Sequence, residues 1–301
     1  MTLQQLKYLI EVANSGSMNE AAKKLYVSQP SLSSAIKELE QEFGITLFNR
    51  TNKGISLSNE GQEFLGYAKQ IIEQTHLLEE RYLDQTERKI KFSISCQHYS
   101  FAISAFIELI QEYGYNEYDF TIQETRTAEI IEDVKSMKSE LGILYLNDFN
   151  RKVLTKLFRE NQLTFHSLFK AQPHVFIGKH HPLASASILS LEQLNDYPYL
   201  SFNQGNQNSF YFSEEIGSTY THKKSIQVND RATLFNLLLG LNGYIISTGI
   251  ISKELNPDII AIPLQLDDMI EIGYIKQKNV ALSKIGQIYI DKMNHYIYNL
   301  L

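Results

Sequence analysis

The 301-residue chain predicts a multidomain α+β protein. A winged helix-turn-helix is expected over 1–58, a long linker helix over 59–88 and an α/β domain over 89–301. Three features point there. Two short helical patterns meet at a tight turn near the N-terminus and are followed by a β-hairpin signal. Apolar positions then recur from Leu57 to Tyr82 at alternating spacings of four and three. From Lys89 onward strand-like and helix-like segments alternate.

The first helix follows from Leu3, Leu6, Leu9 or Ile10, and Ala13, and Gly16 ends it. Ser17 and Glu20 read as a capping box for the second helix, whose apolar face is Ala21, Ala22 and Leu25. Small alanines let a neighbouring helix approach closely. The chain turns over Tyr26-Val27 and restarts at Ser28, a good N-cap, with Pro30 tolerated only in a first turn. Leu32, Ala35 or Ile36, Leu39 and Phe43 form the buried stripe of the third helix. Its opposite face is small and polar: Gln29, Ser31, Ser33, Ser34 and Lys37. Such a face can enter a major groove, where Gln pairs with adenine and Ser with either partner of a base pair. By pattern alone it equally fits a solvated helix on a three-helix bundle.

Two β-prone runs, 44–48 and 55–57, flank Asn52-Lys53-Gly54 and predict a hairpin. A hairpin after a recognition helix is a wing, and Arg50 and Lys53 place positive charge where a wing meets phosphate or minor groove.

In the linker, Leu57, Gly61, Phe64, Ala68, Ile71, Thr75, Leu78 and Tyr82 form a heptad seam, with Ser58 or Asn59 as its cap. The alternative is an amphipathic helix packed on its own domain. The narrow seam favours a partner helix, with Phe64, Ala68, Ile71, Thr75, Leu78 and Tyr82 as dimerisation residues. The charged run 84–89 marks the domain boundary.

Beyond it, strands are predicted at 89–96, 119–124, 141–146, 163–169, 174–178, 199–202, 224–228, 244–247, 259–264 and 271–276. Helices are predicted at 101–113, 128–138, 232–241 and 282–300, around a mostly parallel sheet.

Composition narrows the classes. Hydrophobic residues make up 43% and charged residues 21%, which excludes wholesale disorder. With 28 Lys and Arg against 34 Asp and Glu, the net charge of −6 argues against a chain that is basic throughout. Residues 1–58 hold six basic and five acidic side chains, a net of +1. The single Cys96 has no second thiol to resolve an oxidised state and cannot form a Cys-rich zinc site. The adjacent His180-His181 lacks partner ligands for a metal. No nucleophile elbow, P-loop or H-E-x-x-H motif is present, so no enzyme and no cofactor is expected. Neither a signal peptide nor an apolar run of membrane-spanning length is seen, and a cytoplasmic protein with no membrane partner is expected.

The N-terminal residues resemble the LysR-type transcriptional regulators. The matching string runs Leu6, Ala13, Gly16-Ser17, Ala21-Ala22, Leu25, Ser28-Gln29-Pro30-Ser31-Leu32-Ser33, Ile36, Leu39-Glu40, Gly44, Leu47-Phe48, Arg50, Leu57-Ser58 and Gly61. The resemblance implies that Ser28, Gln29, Pro30, Ser33, Ser34 and Lys37 face bases and phosphates while Arg50 and Lys53 serve the wing. Many relatives carry Arg at the position of Ser34. Each lost phosphate contact flattens the salt dependence of binding, so modest affinity per half-site and reliance on pairing are expected. The linker helices of such proteins pair antiparallel and hold two winged domains at half-site spacing. Expected partners are promoter DNA, a small-molecule effector, a second copy in a dimer or a dimer of dimers, and RNA polymerase for an activator.

The C-terminal segments His180-His181-Pro182-Leu183-Ala184 and 242–249 resemble the effector domain of the same family. That domain is two-lobed and similar to periplasmic binding proteins. The likeness implies lobe one at 90–162 with 269–301, and lobe two at 163–268. Ligands in such folds bind beyond the carboxyl ends of strands, near helix N-termini. His98, Tyr99 and Ser100 end the first strand, with Ser100 able to cap the next helix. Thr125, Arg126 and Thr127 end the second, and Arg pairs carboxylates bidentately. Lobe two offers Phe202, Asn203 and Thr248. The set suits a small polar, anionic or zwitterionic effector, though each residue alone could simply cap a helix or satisfy a loop. Segments such as 97–99, 124–127, 208–215 and 230–237 resemble one streptococcal branch, whose regulators are linked to methionine uptake and to capsule. That likeness implies a sulfur-amino-acid effector. Two other classes share parts of this pattern: a cytoplasmic solute-binding sensor, and an architectural DNA binder without effector response.

Overall fold

The computed structural model describes residues 1–51, 54–83, 89–113, 117–205 and 209–298. They form two compact units, Met1–Arg88 and Lys89–Leu301.

In the first unit α1 spans Leu3–Ser15, α2 Met18–Lys24 and α3 Gln29–Phe43. Thr2 and Gln5 cap α1 reciprocally, a box that the sequence reading did not single out. At α2 the expected box is only half formed. Ser17 Oγ accepts from the Glu20 amide, but the Glu20 carboxylate turns to Lys23 Nζ at 3.1 Å. Leu6, Leu9, Ala21, Leu32, Ile36 and Leu39 are fully buried between the three helices. Gly16 and Gly44 end α1 and α3 in the left-handed region.

The wing follows as β1, Phe48–Thr51, antiparallel to β2, Gly54–Leu57. Its base is held from two sides. Glu40 Oε1 on α3 accepts from the amides of Leu47 and Phe48, and the Ile55 amide donates to Gly16 O. Helix α4 spans Asn59–Leu83 and is capped by Ser58 Oγ, which accepts from the Gly61 amide at 2.8 Å. Gly61 lies against the Leu47 carbonyl so closely that a Cβ would sit 2.1 Å from its oxygen.

The expected dimer seam is split. Ala68 is buried in the core of its own domain, and Phe64 packs there edge-on to Phe43 at 5.0 Å. These two are therefore domain anchors, because α4 crosses α1 and needs an apolar face against it. The apolar side chains that stay exposed are Tyr67 at 60%, Ile71 at 38% and Leu78 at 58%. They recur at helical spacing and form a stripe rotated from the first half of the seam. Thr75 is half-buried and its hydroxyl donates to Ile71 O. Tyr82 lies on α4, its side chain outside the described residues.

The second unit opens with β3, Ile90–Cys96, α5, Ser100–Tyr113, β4, Tyr118–Glu124, α6, Thr127–Lys135, and β5, Leu141–Leu146. Helix α7, Arg151–Glu160, and strand β6, Leu163–Ala171, follow. The chain then enters a second lobe. It comprises β7, His174–Gly178, α8, Leu191–Leu194, β8, Tyr199–Phe202, β9, Ser225–Val228, α9, Arg231–Leu241, β10, Ile245–Ser247, and β11, Ile259–Pro263. It returns with β12, Ile270–Gln277, and α10, Lys284–Tyr298.

Lobe one holds a five-stranded sheet in the order β4-β3-β5-β12-β6. Strands β3, β4 and β5 are parallel, and β12 runs antiparallel to both β5 and β6. The sheet is thus mixed where a mostly parallel one was expected, because β12 re-enters from the other lobe. The expected lobe boundary also moves. Strand β6 pairs with β12 from Ala171 opposite Ile270 to Leu163 opposite Gln277, so 163–171 belongs to lobe one. The crossing falls at Gln172-Pro173. Helix α7 had no counterpart in the sequence reading, although Leu154 and Phe158 bury one face of it at i, i+4 spacing. Lobe two contains the antiparallel sheet β10-β7-β11 and the parallel pair β8-β9. One apolar cluster runs through both lobes, joining Ile94, Phe101 and Ile143 to Ile177, Tyr199 and Ile246.

Candidate DNA-reading face and ligand cleft

The opening of α3 presents the small polar face the sequence predicted. Ser28 Oγ accepts from the Ser31 amide, fixing the first turn, and Pro30 occupies that turn without losing a helical hydrogen bond. Pro30, Ser34 and Lys37 are exposed; Gln29 and Ser33 are half-buried. Ser34 Oγ donates to Glu38 Oε1 at 3.3 Å. Arg50 lies on β1 opposite Ile55, and Lys53 is outside the described residues.

One residue was read only as a turn. Tyr26 joins α2 to α3 in the left-handed region, φ 55°, with 97% of its surface in solvent, two residues before the Ser28 cap. A bulky residue there costs about 1 kcal/mol of backbone strain. The flanking half-buried Leu25 and Val27 were the available signal that the residue between them points outward.

The second unit brings the predicted cleft residues of its two lobes together, and they bond to each other. Arg126 Nε donates to Asn203 O at 2.9 Å, and its Nη1 reaches Glu129 Oε1 at 3.2 Å. The guanidinium is therefore engaged, not free for a bidentate carboxylate. Gly205, φ 61°, lets the chain pass it: a Cβ would lie 2.6 Å from Arg126 Nη1. Thr127 donates its amide to Gln204 Oε1 and its hydroxyl to Phe212 O. Thr125 Oγ1 bonds to Glu129, and Thr248 Oγ1 accepts locally from the Ile250 amide. Ser100 is the first residue of α5, and its hydroxyl accepts from the Ser252 amide across the lobes. It bridges rather than capping its own helix, as had been expected. Tyr99 is buried, donates to Gln97 Oε1 and stacks on Phe101.

His98 forms the centre of the junction. Its ring lies 3.7 Å from that of Phe202 at 7°. Its Nδ1 is 2.8 Å from Glu214 Oε2, which also accepts from the His98 amide at 3.1 Å. Gln204 Nε2 holds the other oxygen of Glu214 at 3.0 Å. The position beside α5 expected to attract an effector carboxylate is thus taken by the chain's own buried carboxylate. Glu215 is buried next to it and accepts from the Phe202 amide at 2.8 Å. Burial and the neighbouring Glu214 push the Glu215 carboxyl well above the usual range. Arg231 Nε stands 3.3 Å from Glu124 Oε1, within ion-pair distance but without hydrogen-bond alignment. Sequence reading did not assign Glu214 or Glu215 to the junction, since adjacent acids in a polar stretch normally signal solvent. The cavity left between His98, Ser100, Phe202 and Ser247 is about 20 Å³, room for little more than one water. Burial raises the Cys96 thiol well above its usual value, which opposes thiolate reactivity. Among the described residues no cluster of His, Cys, Asp and Glu fits a metal ion, and no helix is long and apolar enough to cross a membrane.

Residues 3–62 match the model of the bacterial regulatory helix-turn-helix protein, lysR family, and residues 91–284 match that of the LysR substrate binding domain. A probable RuBisCO transcriptional regulator of Phaeodactylum tricornutum is 26% identical, covering 87% of this chain and 85% of its own. A full-length OxyR from Pseudomonas aeruginosa has a TM-score of 0.52 at 18% identity, covering 97% of this chain and 94% of that one. HinK, a LysR family transcriptional regulator of the same organism, has a TM-score of 0.51 at 21% identity over 100% of both chains.

Proposed function

The chain belongs to the LysR family of DNA-binding transcriptional regulators, and from that premise we propose how it reads and reports. Two copies pair through the exposed stripe of α4, and a dimer of dimers places paired α3 helices on a two-part promoter site. A small polar metabolite at the lobe junction shifts the balance between assemblies, and so the spacing or bending of the bound DNA. RNA polymerase is a further partner for an activator, and the cytoplasm is the compartment. The observation that carries the reading is the polar opening turn of α3, with Ser34 and Lys37 exposed beside a wing held to it by Glu40.

The architectural alternative is disfavoured by charge. A reading domain with a net of +1 gains little from bulk phosphate attraction and needs shape-matched contacts. Methionine or a related sulfur metabolite as effector is supported only by the likeness of segments such as 97–99 and 208–215 to the streptococcal branch.

A gel shift with the protein's own promoter against bulk DNA, repeated as a footprint with methionine and homocysteine, tests the scheme. Specific retardation with a ligand-altered footprint is expected. Equal retardation of bulk and promoter DNA would sink the promoter reading. An unchanged footprint with a metabolite that demonstrably binds would sink the effector mechanism. A thermal shift by neither sulfur compound, against a shift by another metabolite, would remove the sulfur assignment.

A further inference from the structure

Lobe two contains a second cavity, of about 520 Å³, which shares Phe202, Asn203, Gln204 and Glu215 with the lobe junction. Its floor is one face of the β8–β9 pair. Side chains alternate along a strand, so Tyr199 and Ser201 share that face with their register partners Ser225 and Gln227. Leu200, Ile226 and Val228 turn the other way, into an apolar cluster. The roof comes from the segment after β8: the hydroxyls of Ser213, Ser218, Thr219 and Thr221 and the rings of Phe210 and Tyr220.

The chemistry of this lining is narrow. No Lys or Arg is among the lining residues, and burial lowers the pKa of the one lining imidazole, His222, so an anion would find little countercharge. Glu215 is the one carboxyl, and burial favours its neutral form, which can donate a hydrogen bond while its other oxygen holds the Phe202 amide. An apolar guest would leave a ring of hydroxyls unpaired. Two lining residues carry a buried polar atom with no hydrogen-bond partner: the Tyr199 hydroxyl, in a residue only 4% exposed, and His222 Nε2. Buried polar groups are almost always satisfied, so these orphans show that the wall of the cavity does not meet its own hydrogen-bonding demand.

We propose that this cavity binds a small uncharged polyhydroxyl compound, a monosaccharide being the simplest, and that its occupancy is transmitted to the lobe junction through Phe202. Sugar hydroxyls pair with the Ser, Thr, Gln and Tyr groups, and the rings of Phe210 and Tyr220 cover the C–H faces. Phe202 forms the link. Its amide is held by Glu215 at the cavity wall, and its ring is stacked on His98, which holds Glu214 at the junction. The inference goes beyond the regulatory reading, because it requires neither DNA nor the small cavity between the lobes.

The test is saturation-transfer difference NMR on the full-length protein with glucose, galactose and ribose at millimolar concentration. Transfer to the ring protons of at least one sugar is expected. Ser225→Trp, which fills the cavity, should abolish it, and Gln227→Ala should weaken binding at least fivefold. Lys156→Ala, on the exposed face of α7, should leave it unchanged. Absence of transfer with all three sugars overturns the proposal, as does transfer that survives both cavity variants. Should Ser225→Trp fail to fold, Gln227→Ala decides. A promoter gel shift on the same samples reads DNA binding separately, so intact retardation without sugar binding removes this inference alone.

Discussion

Gly61 and Gly66 lie on the same helix, and alanine should act on them with opposite signs. At Gly61 an added Cβ would stand 2.1 Å from the Leu47 oxygen and 2.9 Å from its carbonyl carbon. Both are backbone atoms, so no side chain can swing aside. Relieving the contact requires α4 and the chain before the wing to separate by roughly 1 Å or more. Overpacking of this kind costs about 1–3 kcal/mol. The Leu47 oxygen also accepts from the Ser58 amide at 3.0 Å, and separation weakens that bond, worth about 1 kcal/mol. Alanine's helix preference returns about 1 kcal/mol at most, less in a first turn. The net is a loss of about 2 kcal/mol. At Gly66 nothing lies within 4 Å of the added methyl, so only the propensity gain of about 0.5–1 kcal/mol remains. Urea unfolding of the full chain, followed by far-UV circular dichroism, measures both. A Gly61→Ala protein as stable as the parent would refute the steric reasoning, and so would a destabilised Gly66→Ala.

The remaining expectations concern charge and assembly. Glu215 holds its proton more tightly in the folded chain than in the unfolded one. Its contribution to stability is therefore full below the unfolded value near about 4.3 and falls as pH rises through it, by about 1.4 kcal/mol per unit. Glu215→Gln keeps the group neutral and the Phe202 amide accepted, so the stability gap to the parent should widen as pH rises above the unfolded value. A gap independent of pH contradicts this. On α3, Lys37→Ala should lower the salt slope of promoter binding by about 0.9 and Ser34→Arg should raise it by a similar amount, read from gel shifts across a salt series. Identical slopes would place neither residue near phosphate. Ile71→Asp or Leu78→Asp should convert dimers to monomers in sedimentation velocity, and a variant still dimeric would remove α4 as the interface.

Much of the first unit was legible because its signals are local. Ser17, Ser28, Pro30, Gly16 and Gly44 act within a turn of their own position, and the periodicities of α1 and α3 each name a single buried face. The heptad seam of α4 was equally visible, but a period does not say which partner covers which half. Phe64 and Ala68 were claimed by their own domain, and among the described side chains of α4 Tyr67, Ile71 and Leu78 are the large apolar ones left exposed. The strands of the second unit were placed closely, while their pairing was not. Strand β6 belongs to lobe one because β12, about a hundred residues later, pairs with it.

The sequence by itself determined the order of parts, the helix starts and stops of the first unit, the small polar face of α3 and the family to which the chain belongs. Each depends on neighbours in the chain or on a repeat of seven residues or fewer. Tertiary structure alone decided what the cleft residues do. Arg126 meets Asn203, Ser100 meets Ser252 and His98 meets Glu214 across separations of 77, 152 and 116 residues. A guanidinium or carboxylate carries the same local signature whether it awaits a ligand or a distant segment of its own chain. Folding settles that choice, because a buried charge or hydroxyl takes whichever partner the topology delivers.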